Sequence, residues 1–344
     1  MNKGKKVFIG MSGGVDSSVS ALILKQQGYD VISVFIKVWQ PDFVECTWKE
    51  DRLDAMRICA QLNIPFITLD LEKEYKEGVI DYMFAEYRKG RTPNPDVMCN
   101  REVKFGAFLK WALAQGADFV ATGHYAQNIN NKLVKGRDRN KDQSYFLWTL
   151  TEEQLKHIIF PIGGMEKKDV RKKADEAKLF TSEKKDSQGL CFIGTIDVKE
   201  FLKSQIQEKK GDVMNEKVEV IGNHEGVTFY TIGERHGFEI TKKSDHDTPY
   251  YVTRKDVEKN ILIVSQTPPV QPLTKEISLE KVNWIEKIDE EKVYEARARY
   301  RAPLAKVKIK NNQVVVVEGE LVATEGQSLV IYDGDTCVGG GIIG

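Results

Sequence analysis

A pair of glycines between an apolar run and the start of a polar helix places the strongest constraint on how this chain can fold. Residues 10–18 read GMSGGVDSS and follow the apolar run Val7–Ile9. Gly13 and Gly14 let the backbone take unusual angles and approach a ligand, and a helix beginning near Asp16 turns its N–H groups toward the same point. The pattern predicts a strand, a phosphate-binding turn and a helix. The lysine of a G-x-x-x-x-G-K-[ST] loop is missing, so this is not the usual P-loop.

Apolar periodicity in the first half alternates between strand and helix spacing. Strands are predicted at 7–11, 31–37, 66–69 and 119–122, and helices at 17–27, 50–62, 75–89 and 105–113. This alternation predicts an α/β fold with a parallel sheet and helices on both faces, and ligands of such folds bind beyond the carboxyl ends of the strands. Cys59 follows the apolar spacing of its helix and is predicted to be a core residue.

The second half changes character near residue 205. Turns are predicted at 211–212 and 222–223, strands at 227–232, 250–253, 293–300, 305–309 and 314–317, and a glycine-rich hairpin at the end of the chain. We therefore expect a catalytic α/β domain (1–205), a small β-rich domain (206–272) and a C-terminal β-barrel (273–344).

Charge and cysteine usage narrow the class of protein. Lys and Arg (51) balance Asp and Glu (51), but basic residues cluster at 132–141, 167–185 and 297–310, which favours a bound polyanion. No apolar run approaches the roughly 18 residues that a membrane span needs, and no signal peptide is evident, so we expect a cytoplasmic protein. Five cysteines with no C-x-x-C spacing argue against a disulfide framework or a zinc ribbon and leave room for a reactive thiol.

Residues 90–101, GRTPNPDVMCNR, contain the first candidate thiol. Asn94 suits an N-cap, Pro95 the first helical position and Asp96 the first turn, so Cys99 lies near a helix N-terminus, which lowers the pKa of a thiol. Asp96 shares a helix face with Cys99 and can act as a general acid or base. A capped helix with an incidental cysteine explains this stretch equally well.

The second candidate thiol and a histidine lie in other loops. Cys191, in DSQGLCFIG, has apolar neighbours that favour an inert buried cysteine, whereas Gly189 and Gly194 favour a mobile catalytic loop. His124, in TGHY, follows a strand at the sheet edge of the glycine turn, and we expect it to contact a phosphate or a base.

Several strings together resemble known families. SGGVDSS resembles the S-G-G-x-D-S motif of the PP-loop ATP pyrophosphatases. Over nearly the whole chain, the sequence is similar to the bacterial and organellar tRNA-specific 2-thiouridylases in GRTPNPDVMCNREVKF, KDQSYFL, DSQGLCFIG, YTIGERHG, RARYRAP and YDGDTCVGGG. Two positions depart from the family pattern: Gln188 replaces a threonine, and Ile36 stands where a methionine is common.

The resemblance implies ATP-dependent transfer of sulfur to C2 of the wobble uridine in tRNAs for Lys, Glu and Gln. ATP would adenylate the uridine O2 with loss of pyrophosphate, and a cysteine persulfide would then supply sulfur as AMP departs. It further implies that Cys191 carries the persulfide, that Cys99 attacks it and forms a transient disulfide with Cys191, and that Asp96 is the acid or base. A cysteine desulfurase or a sulfur-relay protein would donate the sulfur.

The same resemblance assigns binding residues. For ATP these are Gly10, Met11, Ser12, Gly13, Gly14, Val15, Asp16, Ser17, Ile36 and Gly123, with Asp16 as a candidate ligand of accompanying Mg²⁺. For tRNA they are Asn94, Pro95, Asp96, His124, Lys141, Asp142, Gln143, Arg299, Tyr300 and Gln327. The residues also support Arg299 and Tyr300 directly, because a cation beside an aromatic ring suits phosphate contact and base stacking.

Three alternatives stay open at the level of sequence. Another PP-loop amidotransferase or ligase, of the GMP-synthetase type, would leave the cysteines and the basic strand without a role. A tRNA thiolase with an iron–sulfur cluster would use Asp96, Cys99 and Cys191 as ligands. An RNA-binding protein with a degenerate nucleotide fold would consume no ATP.

Overall fold

Strands and helices alternate over the first part of the chain, as predicted. The computed structural model describes residues 2–41, 48–185, 191–192, 198–241, 248–267 and 275–344. The strands in this part are β1 (Lys6–Gly10), β2 (Asp30–Lys37), β3 (Phe66–Asp70), β4 (Phe119–Ala121), β5 (Ala126–Ile129), β6 (Lys132–Lys135) and β7 (Ile158–Ile159).

Helices flank these strands in chain order. The α-helices are α1 (Val15–Gln26), α2 (Trp48–Leu62), α3 (Glu72–Tyr75), α4 (Tyr82–Arg88), α5 (Pro95–Met98), α6 (Leu109–Ala114), α7 (Glu152–Leu155), α8 (Lys167–Glu176) and α9 (Val198–Lys203). π-helical turns at Lys76–Asp81 and Cys99–Phe108 make 72–88 and 95–114 continuous, and Ser144–Leu147 is a 3₁₀ turn. Within the described ranges, no helix is long and apolar enough to cross a membrane.

A parallel sheet of order β3-β2-β1-β4-β7 forms the centre of this part. Val7 and Ile9 of β1 face a cluster with α1, α2 and α8, whereas Phe8 faces a cluster with 72–88 and 95–114. Because both faces are covered, β1 is buried throughout its middle, as a central parallel strand requires. Cys59 lies in the first cluster at 2% exposure, which confirms its predicted core position.

The two glycines of the turn between β1 and α1 have different backbone conformations. Gly13 has φ +75°, and a Cβ there would lie 2.4 Å from the backbone oxygen of Asp51 in α2. Gly14 has φ −94° and ψ 167°, which any residue adopts, and it is the N-cap of α1. The predicted unusual backbone is therefore wrong for Gly14 and confirmed for Gly13.

A second sheet, of order β10-β9-β8-β12-β11, follows. Its strands are β8 (Gly211–Met214), β9 (Val220–His224), β10 (Glu239–Ile240), β11 (Tyr251–Asp256) and β12 (Ile261–Ser265). Three predictions here are wrong. The segment 227–232 begins as a 3₁₀ turn (Val227–Phe229), and 211–212 and 222–223 lie within strands. A Cβ on Gly211 or Gly222 would lie 2.1 or 1.9 Å from the backbone of a packed segment, so these glycines allow close approach and do not make turns.

The last part is a closed six-stranded barrel. Its strands are β13 (Glu276–Trp284), β14 (Tyr294–Arg297), β15 (Ala305–Lys310), β16 (Gln313–Glu318), β17 (Ser328–Asp333) and β18 (Thr336–Ile343). They pair in the order β13-β16-β15-β14-β17-β18, and β13 closes the ring by pairing with β18. The predicted terminal hairpin is confirmed by the pairing of Asp333 with Thr336. The β5–β6 hairpin of the first part joins the edge of β18, where Val134 pairs with Thr336.

The contrast between the two loop glycines predicts a contrast in stability. We expect Gly13→Ala to lower the free energy of unfolding by about 1–3 kcal/mol, because it adds both a strained φ and a backbone clash. We expect Gly14→Ala to have a much smaller effect, because the nearest atom to its added Cβ is the Ser12 Oγ at 3.5 Å. Urea unfolding of both variants measures the difference, and equal losses would contradict the assigned turn geometry.

Candidate active site

A cavity of about 380 Å³ lies at the carboxyl end of the parallel sheet, where the sequence places a ligand site. Its walls come from the ends of β1, β2 and β4, from the helical stretch 95–114 and from the loop at Cys191. Seven of the predicted ATP-binding residues line it: Gly10, Met11, Ser12, Asp16, Ser17, Ile36 and Gly123. Gly13 and Gly14 form the turn itself, and Val15 begins α1.

The two candidate thiols are in contact, with Cys191 on the cavity wall and Cys99 buried behind it. The Cys99 Sγ lies 3.3 Å from the Cys191 Sγ and donates a hydrogen bond to it, although 92 positions separate them in the chain. Both are free thiols; Cys99 is fully buried and Cys191 is half-buried. Two contacts fix the Cys191 backbone: its N–H donates to the Asp96 Oδ1 (3.0 Å), and the Tyr75 hydroxyl donates to its carbonyl (2.8 Å). The structure thus brings together Asp96, Cys99 and Cys191.

Local sequence explains how this helix presents its side chains. The Asn94 side chain accepts a hydrogen bond from the Val97 N–H (3.3 Å), and Pro95 occupies the first turn, which confirms the predicted cap. From Cys99 the helix becomes π-helical, and i→i+5 bonding brings residues five apart toward one face. Lys104, five residues after Cys99, therefore reaches the cavity wall, where its ammonium lies 5.3 Å from the centre of the Phe192 ring.

Burial and hydrogen bonding shift the pKa values of the two thiols in opposite directions. Burial raises the pKa of Cys99 well above its usual value, so the expected lowering by the helix N-terminus is wrong for this thiol. The hydrogen bond from Cys99 lowers the pKa of Cys191 to about 7 against the effect of burial, and the charge of Lys104 adds to the lowering. Burial also raises the pKa of Asp96, so this carboxyl takes up a proton more readily than an exposed one.

Lys104 keeps its proton in this environment. Burial acts to lower the pKa of Lys104, but the charges of Cys191, Cys99 and Asp96 together raise it. The result is an ammonium group beside two sulfur atoms. Lys104 is not among the predicted site residues, because only a π-helical turn brings it into line with Cys99.

An ion pair lies beside the glycine turn, where Asp16 lines the cavity. The Lys167 ammonium at the start of α8 lies 2.8 and 2.9 Å from the two Asp16 carboxylate oxygens, and the Tyr125 hydroxyl donates to the same carboxylate (2.7 Å). At Gly123 a Cβ would come within 2.9 Å of the Ser17 nitrogen, so glycine lets the end of β4 pack on the N-terminus of α1. Lys167 was visible in the sequence only as part of a basic run.

These residues fit a nucleotide phosphate with its magnesium ion. Open backbone at the glycines, the N-terminus of α1 and the Lys167 ammonium all favour an anion. Across the part of the chain that the structure describes, no group of three or more His, Cys, Asp or Glu is arranged to hold a metal ion. Asp16 lines the cavity beside the glycine turn and suits Mg²⁺ that completes its shell with phosphate oxygens and water.

His124 lies on the cavity wall. Its Nδ1 hydrogen-bonds the Thr122 hydroxyl (2.7 Å), and its ring packs against Phe105 and Phe160. Burial lowers the pKa of His124 well below its usual value, so the ring is neutral near pH 7. A neutral imidazole suits hydrogen bonding to a base better than charge pairing with a phosphate.

The predicted tRNA-contacting residues fall into two groups. Asp96, His124 and Gln143 lie on the cavity wall, and Asn94 and Pro95 begin the helix beside it. Outside the wall are Lys141, Asp142, Arg299, Tyr300 and Gln327. Asp142 is 2% exposed and accepts hydrogen bonds from the N–H groups of Gly136 and Ser144, so its side chain shapes the loop from inside.

The barrel reaches the cavity through an aromatic contact. Tyr300 packs on Phe146 at 4.7 Å between ring centres, and Phe146 lines the cavity. Arg299 beside it is exposed, and Gln327 donates to the carbonyl of Thr92 (2.8 Å) in the loop before Asn94. Tyr300 thus connects the barrel to the cavity wall through Phe146, and Arg299 lies next to it on the exposed surface of the barrel.

The basic runs are only partly surface features. Lys306, Lys308 and Lys310 alternate outward along β15 and are exposed. Lys135 is 6% exposed, and Lys184 pairs with Asp51 and Asp54 at 2.8 Å each. Exposed cations are nevertheless present in the other two runs, at Arg139, Lys168 and Lys172, so all three runs offer some basic surface. Cys46 and Gln188 lie outside the described residues.

Family models match the chain in three consecutive segments. They are the tRNA methyl transferase HUP domain at residues 5–195, the tRNA methyl transferase PRC-barrel domain at 199–266 and the aminomethyltransferase beta-barrel domain at 274–343.

Solved structures are similar only at low scores. The U34-tRNA thiolase NcsA from Methanococcus maripaludis with its [4Fe-4S] cluster is 18% identical, with a TM-score of 0.37 over 60% of this chain and 68% of that one. A 4-thiouridine synthetase–RNA complex with bound ATP is 19% identical, with a TM-score of 0.36 over 59% of this chain and 50% of that one. Similarity this weak carries no argument about the present chain.

Curated relatives match from end to end. The tRNA-specific 2-thiouridylase MnmA of Halalkalibacterium halodurans is 47% identical over 98% of this chain and 94% of its own length. The proteins of the same name from Streptococcus thermophilus and Staphylococcus saprophyticus are 45% and 46% identical over 99% of this chain and 96% of their own lengths. This chain therefore belongs to the tRNA-specific 2-thiouridylase family.

Proposed function

We propose that this protein is a tRNA-uridine 2-sulfurtransferase in which Cys191 carries the sulfur and Cys99 releases it. The observation that carries the proposal is the 3.3 Å approach of two free thiols, of which Cys191 lines the same cavity as the glycine turn and Cys99 lies buried behind it. Family membership makes the chain an enzyme of this class and implies ATP use. The residue roles are those that the family resemblance implies, and the geometry of the site supports them.

The sulfur path follows from the difference between the thiols. With its pKa lowered to about 7, Cys191 is the better thiolate near neutral pH and accepts a sulfane sulfur from a donor, becoming a persulfide. The Cys99 thiolate then attacks the Sγ of Cys191, so the Cys99–Cys191 disulfide forms and hydrosulfide leaves. Hydrosulfide attacks C2 of the activated uridine as AMP departs. An external dithiol supplies the two electrons that reduce the disulfide.

Lys104 supports this path. Its ammonium beside both sulfur atoms stabilises each anionic sulfur species, the Cys191 thiolate before loading and hydrosulfide on release. Asp96 fixes the Cys191 backbone and can exchange a proton with the reacting base, since its pKa is raised.

ATP binds, in this proposal, at the glycine turn. The N-terminus of α1 and Lys167 would hold its phosphates, and Gly10, Ile36 and Gly123 would border the rest of the nucleotide. When bound, ATP supplies the adenylyl group that activates the uridine O2. Asp16, released from Lys167, would hold Mg²⁺ with phosphate oxygens.

The tRNA lies across the barrel and the cavity mouth in this proposal. Asn94, Pro95 and Asp96 would border the flipped base, and Arg299 and Tyr300 would contact the neighbouring strand. The substrates are tRNAs for Lys, Glu and Gln, the sulfur donor is a cysteine desulfurase or a relay protein, and the reaction takes place in the cytoplasm.

The alternatives leave parts of the site without a role. An iron–sulfur cluster needs three side chains that converge on one point. Asp96, Cys99 and Cys191 are neighbours, but among the described residues no such group is arranged to hold a metal ion, and the Asp96 Oδ1 accepts the Cys191 N–H instead. A PP-loop ligase that uses no sulfur does not explain the facing thiols. A purely RNA-binding role does not explain the ion pair and glycine cradle at the nucleotide end.

Sulfur transfer to an unmodified tRNA-Lys transcript tests the proposal. With ATP, Mg²⁺, a cysteine desulfurase, cysteine and a reductant, we expect 2-thiouridine and AMP by mass spectrometry. Cys191→Ser and Cys99→Ser should each abolish 2-thiouridine while tRNA binding stays within about twofold. Cys337→Ala is the matched control, because Cys337 is a fully buried thiol of the barrel away from the cavity. Normal turnover by Cys191→Ser would refute the persulfide assignment.

The lowered pKa of Cys191 predicts a pH profile. Alkylation of Cys191 by iodoacetamide, followed by peptide mass spectrometry, should rise with pH through a midpoint near 7, because the thiolate is the reactive form. Lys104→Met should raise this pKa, shift the midpoint upward and slow labelling at pH 7 severalfold. Lys104→Arg keeps the charge and should largely restore the profile. An unshifted midpoint in Lys104→Met would remove Lys104 from the sulfur path.

Substitutions of two adjacent lysines, Lys167 and Lys168, test the proposed ATP phosphate site. Lys167→Met should raise the KM for ATP at least about tenfold, because a buried cation beside the phosphate loop is lost. Lys168→Met is the matched control, since Lys168 is 77% exposed and pairs only with Glu166 among the ion pairs described, and it should leave the KM within about twofold. Equal KM values for both variants would place the phosphates elsewhere.

A further inference from the structure

Phe192, the residue after Cys191, has a strained backbone. Its φ is +67°, in a region that a bulky side chain rarely adopts. Such a conformation persists only where surrounding groups hold it. The backbone angles of this dipeptide decide where the Cys191 Sγ points. The contacts that hold the dipeptide therefore also keep this sulfur 3.3 Å from the Cys99 Sγ.

Side chains from three other segments hold the backbone of this dipeptide. The Asp96 Oδ1 accepts the Cys191 N–H at 3.0 Å, and the Tyr75 hydroxyl donates to the Cys191 carbonyl at 2.8 Å. The Gln40 Nε2 donates to the Phe192 carbonyl at 3.4 Å, which is near the limit for a hydrogen bond. The contact from Tyr75 is the shortest of the three, and it is independent of the protonation state of Asp96.

Tyr75 contacts both residues of the dipeptide from inside the core. It is the last residue of α3 and is 1% exposed. Its ring meets the Phe192 ring edge to face, with 6.3 Å between ring centres and 84° between the planes. Burial raises the pKa of Tyr75 well above its usual value, so the hydroxyl keeps its proton and remains a donor to the Cys191 carbonyl at neutral pH.

We propose that Tyr75 is a positioning residue for the sulfur transfer, because it holds the strained Cys191–Phe192 dipeptide so that the Cys191 Sγ stays in contact with the Cys99 Sγ. Tyr75 does not line the cavity, so it acts through Cys191 and not on a substrate. The consequence for turnover rests on the proposed function. The consequence for the two thiols needs neither ATP nor tRNA and can be measured by itself.

Equilibration with glutathione measures how readily the two thiols close to a disulfide. Glutathione disulfide oxidises Cys99 and Cys191 and is itself reduced to two thiols, and mass spectrometry of the linked peptides gives the closed fraction. We expect Tyr75→Phe, which removes only the hydroxyl, to lower the equilibrium constant about fivefold or more. Replacing Tyr75 by 4-aminophenylalanine keeps a donor at this point and should restore most of the constant. An unchanged constant in Tyr75→Phe would overturn the proposal.

Tyr82→Phe is the matched control. Tyr82 lies in the same helical stretch, 72–88, and its buried hydroxyl makes no hydrogen bond. Its removal should leave the glutathione equilibrium constant within about twofold of that of the unaltered protein, and urea unfolding of both variants checks that the fold is intact. A loss in Tyr82→Phe as large as that in Tyr75→Phe would also overturn the proposal, because the effect would then not depend on the contact with Cys191.

Steady-state kinetics of 2-thiouridine formation test the consequence for turnover. Tyr75→Phe should lower kcat about tenfold and leave the KM values for ATP and tRNA within about twofold, because the cavity wall is unchanged. A full kcat in Tyr75→Phe would contradict the positioning role. If the unaltered protein makes no 2-thiouridine, the proposed function fails, whereas the glutathione measurement still decides the role of Tyr75.

Discussion

The approach of Cys191 to Cys99 is the contact on which the site depends. The contact needs the Cys191 backbone to be held at the start of a buried helix, and the Asp96 carboxylate and the Tyr75 hydroxyl hold it there. A disulfide needs an S–S distance of about 2 Å, so the 3.3 Å gap closes with a small shift. The same contact sets the chemistry, because the hydrogen bond that joins the thiols also makes one a better thiolate than the other.

The barrel fixes the loop that precedes this helix. Arg91 donates to the carbonyl of Ile343 and pairs with Glu280, while Gln327 donates to Thr92, so three contacts tie the segment before Asn94 to barrel residues. Removing the barrel would therefore loosen the start of the catalytic helix as well as the proposed tRNA surface. A rigid support of this kind suits a reaction that requires two sulfur atoms in contact.

Local signals in the sequence were sufficient for the features that depend on neighbouring residues. The cap at Asn94, the helical spacing around Cys59 and the D-G hairpin near the end of the chain follow from such signals.

The features that were missed depend on distant contacts: the Asp16–Lys167 pair joins residues 151 apart, and the β5–β6 hairpin joins the barrel edge. Gly211 and Gly222 were predicted to lie in turns. The backbone segments that pack against them, at Asn260 and Glu239, are distant in the sequence and leave no local signal. Lys104 was missed because an α-helical wheel turns it away from Cys99.

The unequal thiols also give the proposed sulfur transfer a direction. Cys99 is fully buried, and its raised pKa keeps it protonated while Cys191 takes sulfur, so the donor does not load the wrong thiol. Once deprotonated, the thiol of higher pKa is the stronger nucleophile, which suits Cys99 to attack the persulfide. Burial thus keeps Cys99 unreactive while it is protonated, and it makes the Cys99 thiolate a stronger nucleophile once the proton is lost. The Lys104 ammonium stabilises the anion at both stages, because it lies beside both sulfur atoms.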